Sequence, residues 1–380
     1  MAAWGTRAQL ALDSLGMQPT VGIPTGGVNL MDIPLLEKVG GHASGSYRSD
    51  PEEVYLAFQR AIGACFIDQF IPRNPLTMAA HGYGDATELR AGTGAPEIRC
   101  DGMLIDGPEA VVAHLEQIVF PRLREAAAQY DEEDAGQVQR LIAAEETVQE
   151  RFGNDLLKVP YSGFQAFPRL RYGQYGYNHY FCAYALYPEV MEEDFRLQAD
   201  LAVKQNRLSA RALVEGGFPR IVRSDHDMAD SRGTLVDVRS LDALWFPHFA
   251  RAIEPLLAAD ARLLWHCDGN LMAMVPRLIE AGIRGFQGFQ YEDGMDYERI
   301  CRMPDRDGEP LMIWAGVSVT TTLPWGTPTQ VRDQLRWLVD KGPRIGLKLG
   351  ASSSITPGIP EANLAMFVEG LAYYRCHGRN

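Results

Sequence analysis

The sequence has no pair of cysteines at the C-x-x-C spacing, although it contains six cysteines among 380 residues. Because these cysteines are scattered, they do not form the framework of a disulfide-rich domain or a zinc ribbon. No apolar run approaches the roughly 18 residues that a membrane span needs, and the opening segment MAAWGTRAQLALDSLG lacks the pattern of a secretion signal. These absences predict a cytoplasmic protein.

Positive charge is also scarce. The chain has 36 Lys and Arg against 49 Asp and Glu, which gives a net charge of −13. Such an acidic surface repels phosphate backbones and anionic lipid, so we expect neither nucleic acid nor a membrane as a partner. A Walker loop, an HExxH helix and a GxSxG elbow are all missing, and GTGAP at 92–96 lacks the strand and helix of a dinucleotide loop.

The second half of the chain alternates between short apolar runs and amphipathic helical segments. Strands are predicted at 220–222, 263–265, 285–289, 311–315 and 345–349. Serial strand–helix units indicate a parallel sheet, and without a Rossmann glycine fingerprint they favour a barrel over a doubly wound sheet. We predict an α/β protein, a single (β/α)8 TIM-type barrel domain over 1–380, with an N-terminal helical elaboration over roughly 1–155.

Polar and ionisable side chains follow the ends of the predicted strands. SDHD follows the strand at 220–222, and His266, Cys267 and Asp268 follow the strand at 263–265. In barrels this end of the strands carries the active site, so we expect a pocket there. The structural alternatives are that the aspartate only caps the next helix and that the histidine only forms a hydrogen bond.

Side chains of an extended segment alternate between its two faces. His266 and Asp268 therefore share a face, which makes them the better pair for binding a metal or transferring a proton. Cys267 points the other way and is expected to pack between strand and helix.

Asp225, His226 and Asp227 follow the same alternation. The two acids share a face if the segment is extended, and His226 opposes them. Paired acids can bind a metal, hold a cation or act as acid and base; the alternative is a turn with solvated charges.

These positions supply the candidate site residues. The catalytic candidates are Asp225, Asp227, His266 and Glu292. The substrate-binding candidates are Tyr177, His179, Gln287, Gln290 and Ser353. The aromatic-rich segment 159–187 either lines a site for an aromatic or bulky apolar substrate or packs in the core or an interface. The serines at 352–354 either bind an anion through backbone N–H groups or form a plain loop.

Four stretches of the second half resemble the uroporphyrinogen decarboxylase superfamily, which includes cobalamin-linked methyltransferases. They are SDHDMADSRGTLV (224–236), LLWHCDGNLMAMVPRLIEAGIRGFQGFQYEDGMD (263–296), WAGVSVTTTLPWGTPTQV (314–331) and GASSSITPGIPEANLAMF (350–367). The stretches occur in the order of the family, whereas the N-terminal half matches only loosely. The resemblance implies a barrel enzyme and a possible homodimer.

Three departures argue against porphyrinogen decarboxylation. The arginine-rich RQAGRY-like segment of the decarboxylases, which binds substrate carboxylates, corresponds here to PTGGVNLMDIP, without arginine. Their FSDIL-like aspartate motif is not recognisable in FIDQFIPRNP, and Ser353 stands where they carry a histidine.

The methyltransferase branch is closer in character. Its coenzyme M members hold zinc with an H-x-C-G motif and a later cysteine. In the matching H-C-D-G of this chain His266 keeps the histidine, Asp268 stands at the first cysteine, and Ser353 stands at the second. A zinc site of His266 and Asp268, with Glu292 or Asp227 as third ligand, suits activation of an ether oxygen rather than of a thiol.

The resemblance thus implies a methyltransferase component that moves a methyl group from a small donor, such as a methoxyaromatic, to the cobalt of a separate corrinoid protein. No DxHxxG corrinoid-binding segment is present, so the cobalamin belongs to the partner. Zinc or a proton from an acid such as Asp227 would neutralise the leaving oxygen. The alternatives are a cofactor-free decarboxylase or lyase acting on a small organic acid, in which Asp225 or Asp227 steadies a cationic substrate, and a non-catalytic binding protein.

Overall fold

The computed structural model describes residues 3–77 and 97–379, so the GTGAP segment lies outside the described residues. The chain forms a mixed α/β structure around a parallel sheet of five strands. No helix within the described ranges is long and apolar enough to cross a membrane.

The strands are short, and eleven lie within the described residues. In chain order they are β1 (Phe66–Ile67), β2 (Arg99–Cys100), β3 (Met103–Leu104), β4 (Leu157–Lys158), β5 (Ile221–Asp225), β6 (Ala229–Asp230), β7 (Gly233–Thr234), β8 (Arg262–His266), β9 (Ile283–Gln287), β10 (Met312–Val317) and β11 (Leu347–Ala351). The main sheet has the order β11-β10-β9-β8-β5. Its members are the five strands predicted from the sequence, shifted by a few residues, so that prediction is confirmed.

Additional parallel pairs extend the strand order beyond the main sheet. Thr25 pairs with Leu349 of β11, Gly26 pairs with Phe66 of β1, and β1 pairs in parallel with β4. Eight parallel segments therefore follow one another from β5 to β4. No pair joins β4 to β5 among the described residues, so the closed (β/α)8 barrel stays a prediction.

Helices surround the sheet and fill the region before it. Up to β5 they are α1 (Thr6–Leu15), α2 (Ile33–Gly40), α3 (Ser46–Ser49), α4 (Pro51–Ala61), α5 (Pro108–His114), α6 (Phe120–Gln129), α7 (Ala135–Phe152), α8 (Tyr172–Tyr175), α9 (Tyr177–Leu186) and α10 (Pro188–Glu215). After β5 they are α11 (Val238–Leu244), α12 (Phe246–Ala258), α13 (Val275–Ala281), α14 (Tyr297–Ile300), α15 (Thr322–Trp325), α16 (Pro328–Lys341) and α17 (Glu361–His377). The region before residue 155 contains many helices but also contributes β1 and the segment at Thr25 and Gly26 to the strand order, and the domain organisation stays a prediction.

The strands bury both of their faces, as parallel strands covered by helices do. Leu263 and Trp265 of β8 belong to the large core beneath the helices, where Trp265 packs edge-on to Phe249 of α12. Leu264 faces the other way, into a smaller core with Trp314 of β10. This inner core lies below the carboxyl ends of the strands and supports the polar side chains at those ends.

Candidate functional site

A polar pocket of about 130 Å³ opens at the carboxyl ends of the parallel strands. Asp225, His266 and Gln287 are the last residues of β5, β8 and β9, and all three line it. The strand register pairs Asp225 with His266 and His266 with Gln287, so adjacent strands deliver these side chains side by side. The prediction of a pocket at this edge is confirmed.

His266 is buried at the end of β8 and directs its ring toward two carboxylates. Its Nε2 lies 3.9 Å from Oδ1 of Asp225 and 4.0 Å from Oδ1 of Asp268. Its Nδ1 is buried without a hydrogen-bond partner among the described residues. Gly288, in the left-handed region at φ 83°, leaves room for the ring, because a Cβ there would overlap Nδ1.

Asp225, Asp227 and His266 form a group whose potential ligand atoms lie within 4.8 Å of one another. The backbone N–H of Asp268 donates to Oδ1 of Asp227 at 3.0 Å and holds that carboxylate in place. His226 faces away and accepts a hydrogen bond from a backbone N–H at Nε2, and burial lowers its pKa to about 4. The expected alternation of this segment is therefore confirmed.

The carboxyl groups of Asp225 and Asp268 have opposite pKa shifts. Burial acts to raise the pKa of Asp225, but the charges of His266 and Arg223, with a hydrogen bond from Tyr161, hold it below its usual value. Burial raises the pKa of Asp268. His266 acts to lower this pKa, whereas the charges of Asp227 and Asp225 raise it further. Asp225 is thus the better carboxylate and Asp268 the better proton carrier.

Cys267 lies on the opposite face of the strand end, as expected. The side chain is buried in the large core, and its Sγ accepts a hydrogen bond from the backbone N–H of Met228 at 3.2 Å. Burial raises the pKa of the thiol, so it is held neutral. Cys267 therefore offers no thiolate to the pocket.

The pocket floor carries charged residues that the sequence analysis did not select. Nε of Arg223 donates to Oδ2 of Asp68 at 2.6 Å, and its Nη1 reaches Asp225 at 3.3 Å and Oε1 of Gln287 at 3.2 Å. Burial would raise the pKa of Asp68, but Arg223 and Lys348 lower it to about 2. The floor is therefore ionic, although the PTGGVNLMDIP segment contributes no arginine.

Asp68 belongs to the FIDQFIPRNP segment, in which no aspartate motif was recognisable. It directly follows β1, a strand of only two residues, which is too short to show an alternating pattern. The rule that selected His266 and Asp225, a polar residue just after a buried strand, would have found Asp68 as well. The sequence analysis therefore missed Asp68 as a residue of this pocket.

A chain of side-chain hydrogen bonds forms one wall of the pocket. The hydroxyl of Tyr161 donates to Oδ2 of Asp225 at 2.7 Å, and Nε2 of Gln69 donates to that hydroxyl oxygen at 3.4 Å. Nδ2 of Asn29 donates to Oε1 of Gln69 at 2.9 Å. These bonds fix the orientation of Asp225 and leave its Oδ1 directed at His266.

The candidates after β9 and β11 have different positions. Gln287 and Ser353 line the pocket, and Oγ of Ser353 donates to Oδ2 of Asp268 at 3.4 Å. Gln290 instead accepts a hydrogen bond from the backbone N–H of Gly269 and joins two loops. Glu292 accepts from the hydroxyl of Ser318 at 3.0 Å and lies outside the Asp225–Asp227–His266 group.

Tyr177 and His179 are not among the residues that line this pocket. Tyr177 is exposed on α9 and packs on Tyr172 with ring centroids 4.7 Å apart, and the hydroxyl of Tyr172 donates to the carbonyl oxygen of Asp227 at 2.8 Å. His179 is half-buried on the same helix. The aromatic segment thus supports the Asp227 loop, and a substrate contact there stays a prediction.

The donor set fits a cation that prefers nitrogen and oxygen ligands. Zinc binds such atoms tetrahedrally at about 2.0–2.2 Å, so two ligand atoms of one ion lie about 3.3–3.6 Å apart. The separation from Nε2 of His266 to Oδ1 of Asp225, 3.9 Å, is a few tenths of an ångström longer, so the two side chains would move closer together around a bound ion. Oδ1 of Asp268 is buried without a hydrogen bond among the described residues, which costs less for a neutral carboxyl than for a carboxylate.

Comparison with a solved structure shows the fold of the chain. Neither a protein-family model nor a curated protein matches the sequence. A solved methyltransferase from Methanosarcina mazei matches with 15% identity and a TM-score of 0.56, over 97% of this chain and 99% of that chain. A solved B12-independent methionine synthase from Shewanella sp. W3-18-1, in complex with selenomethionine, matches with 13% identity and a TM-score of 0.39, over 62% of this chain and 65% of that chain. Over nearly its whole length, the chain therefore shares the fold of the Methanosarcina methyltransferase.

Proposed function

We propose that this protein is a methyltransferase component that removes a methyl group from a small donor and passes it to the cobalt of a separate corrinoid protein. The observation that carries this proposal is the group formed by His266, Asp225 and Asp227, of which His266 and Asp225 line the pocket. A fold shared with a solved methyltransferase supports it.

The chemical need is to stabilise the atom that loses the methyl group. When a methyl–oxygen bond breaks, negative charge develops on the oxygen, which is a poor leaving group without a nearby positive charge or proton. Zinc held by His266, Asp225 and Asp227 would supply a Lewis acid for that oxygen. This nitrogen and oxygen donor set differs from the coenzyme M pattern, in which two thiolates accompany the histidine.

Hydrogen bonds from surrounding residues fix the orientation of the two aspartates in this group. Tyr161 and Arg223 bind Oδ2 of Asp225, while the N–H of Asp268 holds Asp227. The Asp268 carboxyl, 4.0 Å from His266, would give a proton to a leaving oxygen bound beside that histidine. Such prior alignment avoids rearrangement during the reaction.

Several finer features remain proposals. They are the corrinoid acceptor, the methoxyaromatic class of donor and a homodimeric assembly, together with a cytoplasmic location. We also propose substrate-binding roles for Tyr177, His179 and Gln290. The catalytic role of Glu292 is likewise a proposal.

Zinc content and methyl transfer to reduced free cobalamin test the proposal together. We expect about one zinc per chain in the wild type, loss of zinc and of methylcobalamin formation in His266→Ala, and retention of both in His226→Gln. His226 is a matched control because it is a buried histidine of the neighbouring strand end that faces away from the pocket. Methoxylated donors would be screened by the absorbance change of cobalamin. Wild-type protein without zinc, or transfer that survives His266→Ala, would refute the metal-assisted mechanism.

A cofactor-free lyase acting on a small organic acid is the second candidate. The observation that favours it is the pair of cationic side chains in the pocket floor, Arg223 and Lys348, which suits a carboxylated substrate. This candidate predicts release of carbon dioxide without corrinoid and without sensitivity to a chelator. Chelator-sensitive methyl transfer without carbon dioxide release would exclude it.

A further inference from the structure

Lys348 is a buried lysine of β11 whose side chain reaches the pocket. The residue is 8% exposed and lines the same cavity as His266. Its aliphatic stem crosses Gly26, where a Cβ would overlap both Cε and Nζ. The glycine of the PTGG segment therefore makes space for the lysine, and the amino group has a defined position.

The Lys348 ammonium has no hydrogen bond or ion pair with any residue of the described chain. Its Nζ lies 4.2 Å from the ring centroid of Trp314 and 5.2 Å from that of Phe66. The ring faces attract a cation but accept none of its three strong hydrogen bonds. Lysine is rarely buried without a partner, so the N–H groups of this amine are available to a hydrogen-bond acceptor in the pocket.

The neighbouring charged side chains form no hydrogen bond with Lys348, because they bind one another. Asp68 is bound by Arg223 at 2.6 Å, and Arg223 also contacts Asp225. Burial lowers the pKa of Lys348 to about 7; Arg223 acts in the same direction, and Asp68 opposes it. Asp68 therefore acts on the charge of the lysine, but no acceptor of the described residues forms a hydrogen bond with its amine.

We propose that Lys348 binds a carboxylate of the substrate, so that the ligand of this pocket is a small organic anion. That the anion is also the methyl donor rests on the proposed function. A monocarboxylate fits better than a phosphate, since one ammonium faces it in a cavity of about 130 Å³ that the acids Asp68 and Asp225 also line. A carboxylate on Lys348 would leave the other end of the molecule free to reach His266.

Calorimetric binding to the purified wild-type chain, without cobalamin, tests the inference. The probes are methoxyacetate and 4-methoxybenzoate, each compared with its carboxamide. We expect at least one carboxylate to bind about tenfold to a hundredfold more tightly than its amide, which is the range of a charge-assisted hydrogen bond. Lys348→Met should abolish that preference. The control is Lys158→Met, which removes a buried lysine that is already paired with Glu145 at 2.9 Å outside this pocket.

Proton uptake provides a second measurement that needs no variant. At pH 8 the free Lys348 amine is mainly neutral, because its pKa is about 7. A bound carboxylate favours the ammonium, so binding in buffers of different ionisation enthalpy should show that a proton is taken up. The other charged groups that face the amine, Asp68 and Arg223, keep their charge at this pH.

The outcomes separate this inference from the proposed function. Equal binding of acid and amide, or a preference that survives Lys348→Met in the folded variant, would overturn the inference even if methyl transfer occurs. A Lys348-dependent preference for carboxylates supports the inference even if no donor transfers a methyl group, in which case the proposed function alone would fail.

Discussion

Nε of Arg223 donates to a carboxylate oxygen of Asp68 at 2.6 Å, across 155 residues of sequence. Asp68 follows β1 and Arg223 lies in β5, which stand near opposite ends of the strand order. The contact shows that the parallel segments curve around the pocket. The two side chains form its ionic floor. Because both side chains are largely buried, each is the partner that makes the burial of the other tolerable.

Removing one member of this pair should destabilise the fold. Asp68→Asn leaves the Arg223 guanidinium without its main partner, and we expect a loss of about 3–5 kcal/mol in the free energy of unfolding. Denaturation by urea, followed by circular dichroism, measures it. Asp230→Asn removes a carboxylate that pairs with Arg232 on the surface and should change stability little. If both variants lost the same free energy of unfolding, the buried pair would contribute no more stability than the surface pair.

The same carboxylate should make stability depend on pH in the acid range. The folded-state pKa of Asp68 is about 2, below its ordinary value, so its contribution is present above about pH 4 and is lost as pH falls toward 2. The difference in unfolding free energy between wild type and Asp68→Asn should therefore narrow over that interval. A difference that stays constant from pH 5 to pH 2 would contradict the lowered pKa.

Gly26→Ala should disturb the pocket through Lys348. The added methyl group would overlap the lysine stem, although the backbone of Gly26 needs no left-handed conformation. We expect binding of the preferred carboxylate probe to weaken about tenfold, the size of one charge-assisted hydrogen bond. Gly173→Ala is the control, because a Cβ there meets no atom within 4 Å. The idea fails if both variants bind like the wild type.

If zinc binds beside His266 as proposed, two thiols introduced there should strengthen its binding. Asp268 and Ser353, which stand at the cysteine positions of the coenzyme M pattern, contact each other at 3.4 Å beside His266. The double variant Asp268→Cys, Ser353→Cys would offer two soft thiolates, and we expect zinc affinity to rise at least about tenfold in a chelator competition. The single variants should gain less. Unchanged affinity in the double variant would place the cation site elsewhere.

The strand-end side chains could be predicted because their signal is local. The alternation of side chains in an extended segment is a property of neighbouring residues, and it correctly separated His266 and Asp268 from Cys267, and Asp225 and Asp227 from His226. The third partner of His266 could not be chosen in this way. The strand register places Asp225 beside it, the loop after β5 adds Asp227 to the group, and Glu292 instead accepts from the hydroxyl of Ser318.

The sequence by itself determined the parallel strand–helix units, the two acidic strand ends and the position of His266, since each depends on spacing within a few residues. Only the tertiary structure decided that Asp68, Arg223 and Lys348 meet under them. A charged residue in a buried strand shows locally that it needs a partner, but not which one. That choice follows from strand order and curvature, which bring together side chains far apart in the chain.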